Sequence, residues 1–247
     1  MKTLSTLLAA LLIVSALPAI ALAQEPAPQA EPASETGDAV ERIIGNLKDR
    51  AGNAIEKRLD TIERVGGALQ EAEHLTDAHE RVLLDELSSS AAGLTALGRE
   101  IEAAGTLAEL WDLIPKIFED YRIYAVVVPK AHLVAVADTI VAGTTRAEVG
   151  GEALQEAIDR VRQAGYDTSE AEEALAEMVT LIRQSSALAG PVPDTVLPLE
   201  PSDWPVPAQG VIEGAHADLR SARDHLASAV RSAHEVARIL RDLVREG

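Results

Sequence analysis

This chain predicts an all-helical fold, an elongated bundle of long coiled-coil-like helices, and three observations predict it. Apolar residues recur at three- and four-residue steps through most of its 247 residues, the spacing of one helix face. Helix-start signals of the form Thr/Ser-x-x-Glu stand ahead of several of these runs. Only six residues are aromatic, two Trp, three Tyr and one Phe. A core built mainly from Leu and Ala favours close helix-to-helix contact over a thick mixed interior.

The first 23 residues combine a basic start (Lys2), an apolar run and an Ala21-Leu22-Ala23 site, the pattern of a signal peptide cut before Gln24. Export to the periplasm or the outside is therefore expected. The chain has no cysteine, so its fold is expected to be indifferent to the redox state of its compartment. Residues 24–38 (QEPAPQAEPASETGD) carry no apolar periodicity and read as a Pro/Ala/Glu-rich disordered tether. Residues 39–247 read as a single elongated helical domain.

Within that domain, Val40, Ile44, Leu47, Ala51, Ile55, Leu59, Ile62, Val65 and Leu69 mark a first helix over 39–73. Thr76 caps a second over 77–104, with Leu83, Leu87, Leu94, Leu97 and Ile101 along it. Thr106-x-x-Glu109 opens a third over 107–143, whose expected stripe is Leu107, Trp111, Ile114, Phe118, Tyr121, Ala125 and Val128, continuing to His132, Ala135 and Thr139. Pro129 lies inside this run. It removes a backbone donor and its ring presses on the preceding turn, so a kink near Pro129 is expected.

Thr145-x-x-Glu148 opens a fourth helix over 146–164, and Ser169-x-x-Glu172 a fifth over 169–189, the two forming an antiparallel hairpin. Six prolines between Pro191 and Pro207 then predict extended chain over 190–209. The last helix, 210–245, has the cleanest repeat: Ile212, Ala215, Leu219, Ala222, Leu226, Ala229, Ala233, Val236, Leu240 and Leu243. That strict alternation of three and four predicts left-handed, coiled-coil-like packing. Whether its partner is this chain or a second copy is open at this level.

The formal net charge is −18, which opposes binding to nucleic acid and to anionic lipid. The acids are unevenly spread: residues 211–247 balance six acids against six bases. The most apolar stretch of the domain, Tyr121–Ile140, is interrupted by Arg122, Lys130 and Asp138, so no membrane span is expected after the signal.

Chemistry-bearing patterns are sparse. Glu71 with His74, and Glu213 with His216, have the Glu-x-x-His spacing of di-metal bundles, but such pairs arise by chance in a Glu-rich chain and further inward Glu residues are required. No metal and no cofactor are expected. His216, His225 and His234, nine apart, turn to alternating faces. His79-Glu80 and His234-Glu235 lack the second histidine of a metalloprotease helix. No hydrolase elbow, phosphate loop or dinucleotide fingerprint is present, so no enzyme is expected. The polar cluster with most promise is Tyr121, Arg122, Tyr124, Lys130 and His132: it is read either as a small anion-binding pocket at the proline kink or as core tyrosines with an Asp120–Arg122 pair.

The segments GLTAL (Gly93 to Leu97), DYRIY (Asp120 to Tyr124) and VPKAHLV (Val128 to Val134) resemble a group of uncharacterised, exported, all-helical proteins of actinobacteria. The likeness covers most of 51–138 and recurs in the final Ala/Arg/Asp helix. It implies an extended helical fold and export, and no activity. The expectation is a non-catalytic interaction or structural module at the cell envelope or outside the cell, with a protein partner or self-association through the final helix. A small-ligand- or metal-binding bundle, or an enzyme without a recognisable motif, are the alternatives.

Overall fold

The computed structural model describes residues 33–246, so the expected signal peptide and most of the expected tether lie outside the described residues. The chain divides into two compact units, Met1–Ala39 and Val40–Gly247. Of the first, only the opening turns of helix α1 are described; the second contains the rest.

Every regular element among the described residues is helical: α1 (Ala33–Gln70), α2 (Asp77–Ala103), α3 (Leu107–Leu113), α4 (Lys116–Glu119), a π-helical turn (Ile123–Val127), α5 (Val128–Gln163), α6 (Ser169–Ala189), α7 (Val192–Val196), a 3₁₀ turn (Pro201–Asp203) and α8 (Ala208–Glu246). The all-α class is thus observed. Helix α1 begins inside the expected tether, directly after the last proline of that stretch, where Ala33, Ser34 and Glu35 no longer oppose helix.

Three expected boundaries are corrected. The expected third helix, 107–143, is interrupted between Leu107 and Val128. Pro115 separates α3 from α4, and Arg122 adopts φ 40° and ψ 39°, a left-handed conformation that ends helical continuity. The π turn follows, with the Val128 N–H donating to the Ile123 carbonyl, and Pro129 sits in the first turn of α5. The wider π turn carries the chain into a residue that has no N–H to donate.

The expected fourth helix is not separate. Residues 128–163 form one helix, because Thr144 and Thr145 give their hydroxyls to the Val141 carbonyl at 2.8 and 3.1 Å and so sit within it rather than capping a new start.

The 190–209 connection is not extended throughout. It holds α7 and the 3₁₀ turn, and Val192, Val196 and Leu199 are buried. The Trp204-Pro205 and Val206-Pro207 peptides are cis. Apolar side chains between the prolines explain the local folding: they need cover, and short helical turns bring them to the core.

Two apolar clusters organise the packing. One joins α1, α2, α3, α4, the π turn, the first half of α5, α7 and the first half of α8, centred on Leu83, Leu94, Leu110, Ile117, Val126 and Val134. The other joins the second halves of α5 and α8 with α6, around Ile158, Leu175, Met178, Ile182 and Val236. The α8 stripe lies in these clusters, with Ile212, Ala215, Leu219, Ala222, Ala229, Val236 and Leu240 buried. Its neighbours are α5 and α6 of the same chain. Ser185 of α6 donates to the Ala222 carbonyl at 2.8 Å, a bond that small side chains on both helices permit.

The Leu107–Gln163 stretch is apolar enough, by length and composition, to cross a membrane, and half of its apolar window is buried against the rest of the fold. Core helices of soluble proteins share that pattern.

Candidate functional site

The five residues singled out from the sequence do not converge. Lys130 is 2% exposed, and its Nζ meets Glu86 Oε2 of α2 at 2.7 Å and the Leu199 and Leu197 carbonyls at 2.7 and 3.4 Å. Its charge is neutralised by a carboxylate, and its donors hold α2, α5 and the 197–199 segment together. A buried ammonium is tolerable only when paired and hydrogen-bonded in this way.

Tyr121 lines the same cavity, about 540 Å³, beside Asp120, Ser89 and Ser90. Its ring lies over Gly93 of α2: a Cβ at Gly93 would stand 2.5 Å from the Tyr121 hydroxyl and 2.7 Å from Cε1. Burial, with Asp120 and Glu100 adding negative charge, raises the Tyr121 phenol pKa above its ordinary value. Arg122 occupies the left-handed turn, and its buried Nε has no partner among the described residues. His132 is exposed on α5.

Tyr124 faces α1 instead. Its hydroxyl donates to the Lys57 carbonyl at 3.1 Å and lies 3.4 Å from Thr61 Oγ1. Arg58 of α1 stacks on two rings at once, 4.5 Å from the Phe118 centroid and 5.2 Å from that of Tyr124. Arg58 is itself buried, with Nη1 donating to the Ala54 carbonyl at 2.8 Å. Burial lowers the guanidinium pKa, and Tyr124 opposes the shift. The outer faces remain in solvent: Trp111 is 65% exposed, Phe118 47% and Tyr124 51%.

This surface corrects the expected stripe of the third helix. Trp111 and Phe118 point outward, while Leu110, Ile117, Ile123, Val126 and Val127 are buried. Farther on, Lys130, Ala131, Val134 and Asp138 go inward while His132 and Thr139 stay exposed. The available signal was the parallel run Leu110, Leu113, Ile117, equally apolar and one residue out of phase with the aromatic one. Arg58 carried no signal of its own, because its partners are some 60 residues away in sequence.

The two Glu-x-x-His pairs have different neighbours. His74 meets the Arg146 guanidinium, with Nδ1 at 3.2 Å from Nη2. Glu213 accepts from Gln209 Nε2 at 2.9 Å, while His216 lines a cleft together with Arg220 and Arg223. No group of three or more potential metal ligands occurs among the described residues. One histidine–carboxylate pair forms unannounced: buried Asp138 accepts from the Thr76 N–H at 2.8 Å and lies 2.9 Å from His79 Nδ1, tying the start of α2 to α5.

Compared with protein-family models, curated proteins and solved structures, the chain finds no match.

Proposed function

We propose that this chain is a non-catalytic, exported interaction module whose contact surface is formed by Trp111, Phe118 and Tyr124, with buried Arg58 stacked against two of the rings. The observation that carries the reading is the exposure of three of the chain's six aromatic side chains within residues 111–124, two of them stacked on one arginine. Trp, Tyr and Arg dominate the energetics of protein interfaces, because they offer large rigid area with a polar handle. Stacking on Arg58 holds Phe118 and Tyr124 in place before any partner arrives, which lowers the ordering cost of binding. The net charge of −18 favours encounter with a partner of positive charge.

Export through the 1–23 signal, the kinship with exported actinobacterial helical proteins, and an elongated coiled-coil-like bundle bent near Pro129 belong to the same reading. The π turn just ahead of Pro129 and the buried alanines of α8 support its structural part.

The test compares wild type with the W111A/F118A/Y124A triple variant as bait on envelope and secreted fractions of the source cells, with circular dichroism checking that both are folded. A partner held by wild type and released by the variant supports the reading. An identical bound set for both baits sinks it. Light scattering on both proteins separates a distinct partner from a second copy, which would appear as a dimer only in wild type.

A further inference from the structure

Between α5 and α8 lies a small cleft of about 140 Å³ whose lining reverses the charge of the molecule. His132 enters it from α5, and His216, Arg220 and Arg223 from α8; Leu133, Val136 and Leu219 complete the lining. No carboxylate lines it, although the chain has 40 acidic residues against 22 Lys and Arg. The three α8 residues are spaced by four and three, so they share one helix face.

None of the four makes an ion pair or hydrogen bond among the described residues. Two other arginines do find carboxylates: Arg162 meets Asp159 and Glu172, and Arg238 meets Glu235 and Asp242. Asp224 stands one turn from Arg220 on α8 and forms no bridge to it. Asp218, the nearest preceding acid on that helix, forms no bridge to it either, and Glu213 accepts from Gln209.

We infer that this cleft binds a phosphate-type oxyanion. Two guanidinium forks and two imidazoles, each with an N–H donor in any tautomer, converge from two helices. A carboxylate has two oxygens to offer; a tetrahedral oxyanion has enough to engage donors arriving from both sides. The four basic side chains are exposed to solvent while Leu133 and Leu219 are buried, so the charge-assisted bonds would form at the surface. The volume is below the roughly 300 Å³ at which sites for drug-sized ligands begin, so it suits a free ion or a terminal phosphate.

The experiment titrates inorganic phosphate into the signal-free chain at low ionic strength, by calorimetry and by proton NMR of the histidine rings. Saturable one-to-one binding is expected, moving the His132 and His216 ring signals and leaving those of His79 and His234 in place. The R220Q/R223Q variant should bind at least about tenfold more weakly, a loss of about 1.4 kcal/mol. The control R183Q, altered on α6, should bind as wild type does. Equal weakening by R183Q, or ring shifts spread over all histidines, would mean diffuse attraction and overturn the site. Phosphatidate vesicles carry the same group in a lipid, and the net charge of −18 should keep the chain off them. Retention on vesicles that R220Q/R223Q abolishes would overturn the assignment to a soluble ligand.

Discussion

The 39 residues of α8 form one uninterrupted helix, whereas the run from Leu107 to Val128 holds two short helices, a left-handed residue and a π turn. Both runs repeat apolar residues at three- and four-residue steps. They differ in how many faces are apolar. In α8 the apolar side chains fall largely on one stripe, and α5 and α6 cover it with backbones close enough for Ser185 to reach the Ala222 carbonyl. The earlier run has apolar residues on two faces, Leu110 and Ile117 on one and Trp111 and Phe118 on the other, and a straight helix cannot bury both. Breaking at Pro115 and at Arg122 lets the chain bury the aliphatic set and leave the aromatic set outside. Periodicity therefore reports which residues share a face, and continuity depends on whether one partner surface meets that face.

The largest test of this contrast is a proline in the middle of α8. Ala229→Pro removes a ladder bond and clashes with the preceding turn at a fully buried position, costing about 3 kcal/mol or more. Urea denaturation should show a large drop in midpoint or loss of the cooperative transition. Survival of a wild-type midpoint would mean that α8 is not one continuous, packed helix through Ala229.

Next comes the packing of the broken run on α2. Gly93→Ala places a methyl group in the space of the Tyr121 ring and should destabilise by about 1–3 kcal/mol. The loss should be smaller when Tyr121 is replaced by Ala as well, a coupling readable in a double-mutant cycle. Additive losses would show that the ring is not what the methyl group meets.

Arg122→Gly should act in the opposite direction. Glycine accepts the left-handed conformation without the penalty of a Cβ, and the midpoint should rise by the equivalent of about 1 kcal/mol. A fall would indicate that the Arg122 side chain, and not its backbone, holds the break.

The smallest effect concerns the start of α3. Glu109 accepts from the Gly105 and Thr106 N–H groups at 2.7 and 3.0 Å, and these bonds draw its carboxyl below the ordinary range. Its folded-state pKa is depressed, so its contribution is complete above the ordinary carboxylate pKa and is lost as pH falls through the folded value. Wild type should therefore exceed Glu109→Gln slightly in melting temperature at neutral pH, and the gap should close on acidification. A gap that widens in acid would contradict the capping role.

How much of this was legible in the sequence varies by element. Helix α6 starts at Ser169 as expected, but its N-cap is Thr168, which makes no side-chain cap bond. The start of α2 fell where Thr76 placed it, because a cap acts through local backbone bonds. Thr106-x-x-Glu109 formed its capping box for the same reason. Thr145-x-x-Glu148 did not, since a threonine inside a helix can bond the preceding turn equally well. The residues expected to cluster around Tyr121 are placed apart for a long-range reason. Lys130 found Glu86 and two carbonyls of the 197–199 segment, partners at separations no local pattern reports. The cleft at His132 and His216 was equally hidden, since its halves come from α5 and α8.

By itself the sequence determined the all-helical class, the caps at Thr76 and Thr106 and the one-sided stripe of α8, all consequences of backbone propensity and spacing that act within a few turns. Only the tertiary structure decided which of two apolar faces near Trp111 goes inside, which charges meet as Lys130 meets Glu86, and which arginines are left facing a cleft. Those outcomes depend on which distant surface arrives to cover a side chain, and burial and charge pairing take their energies from that neighbour.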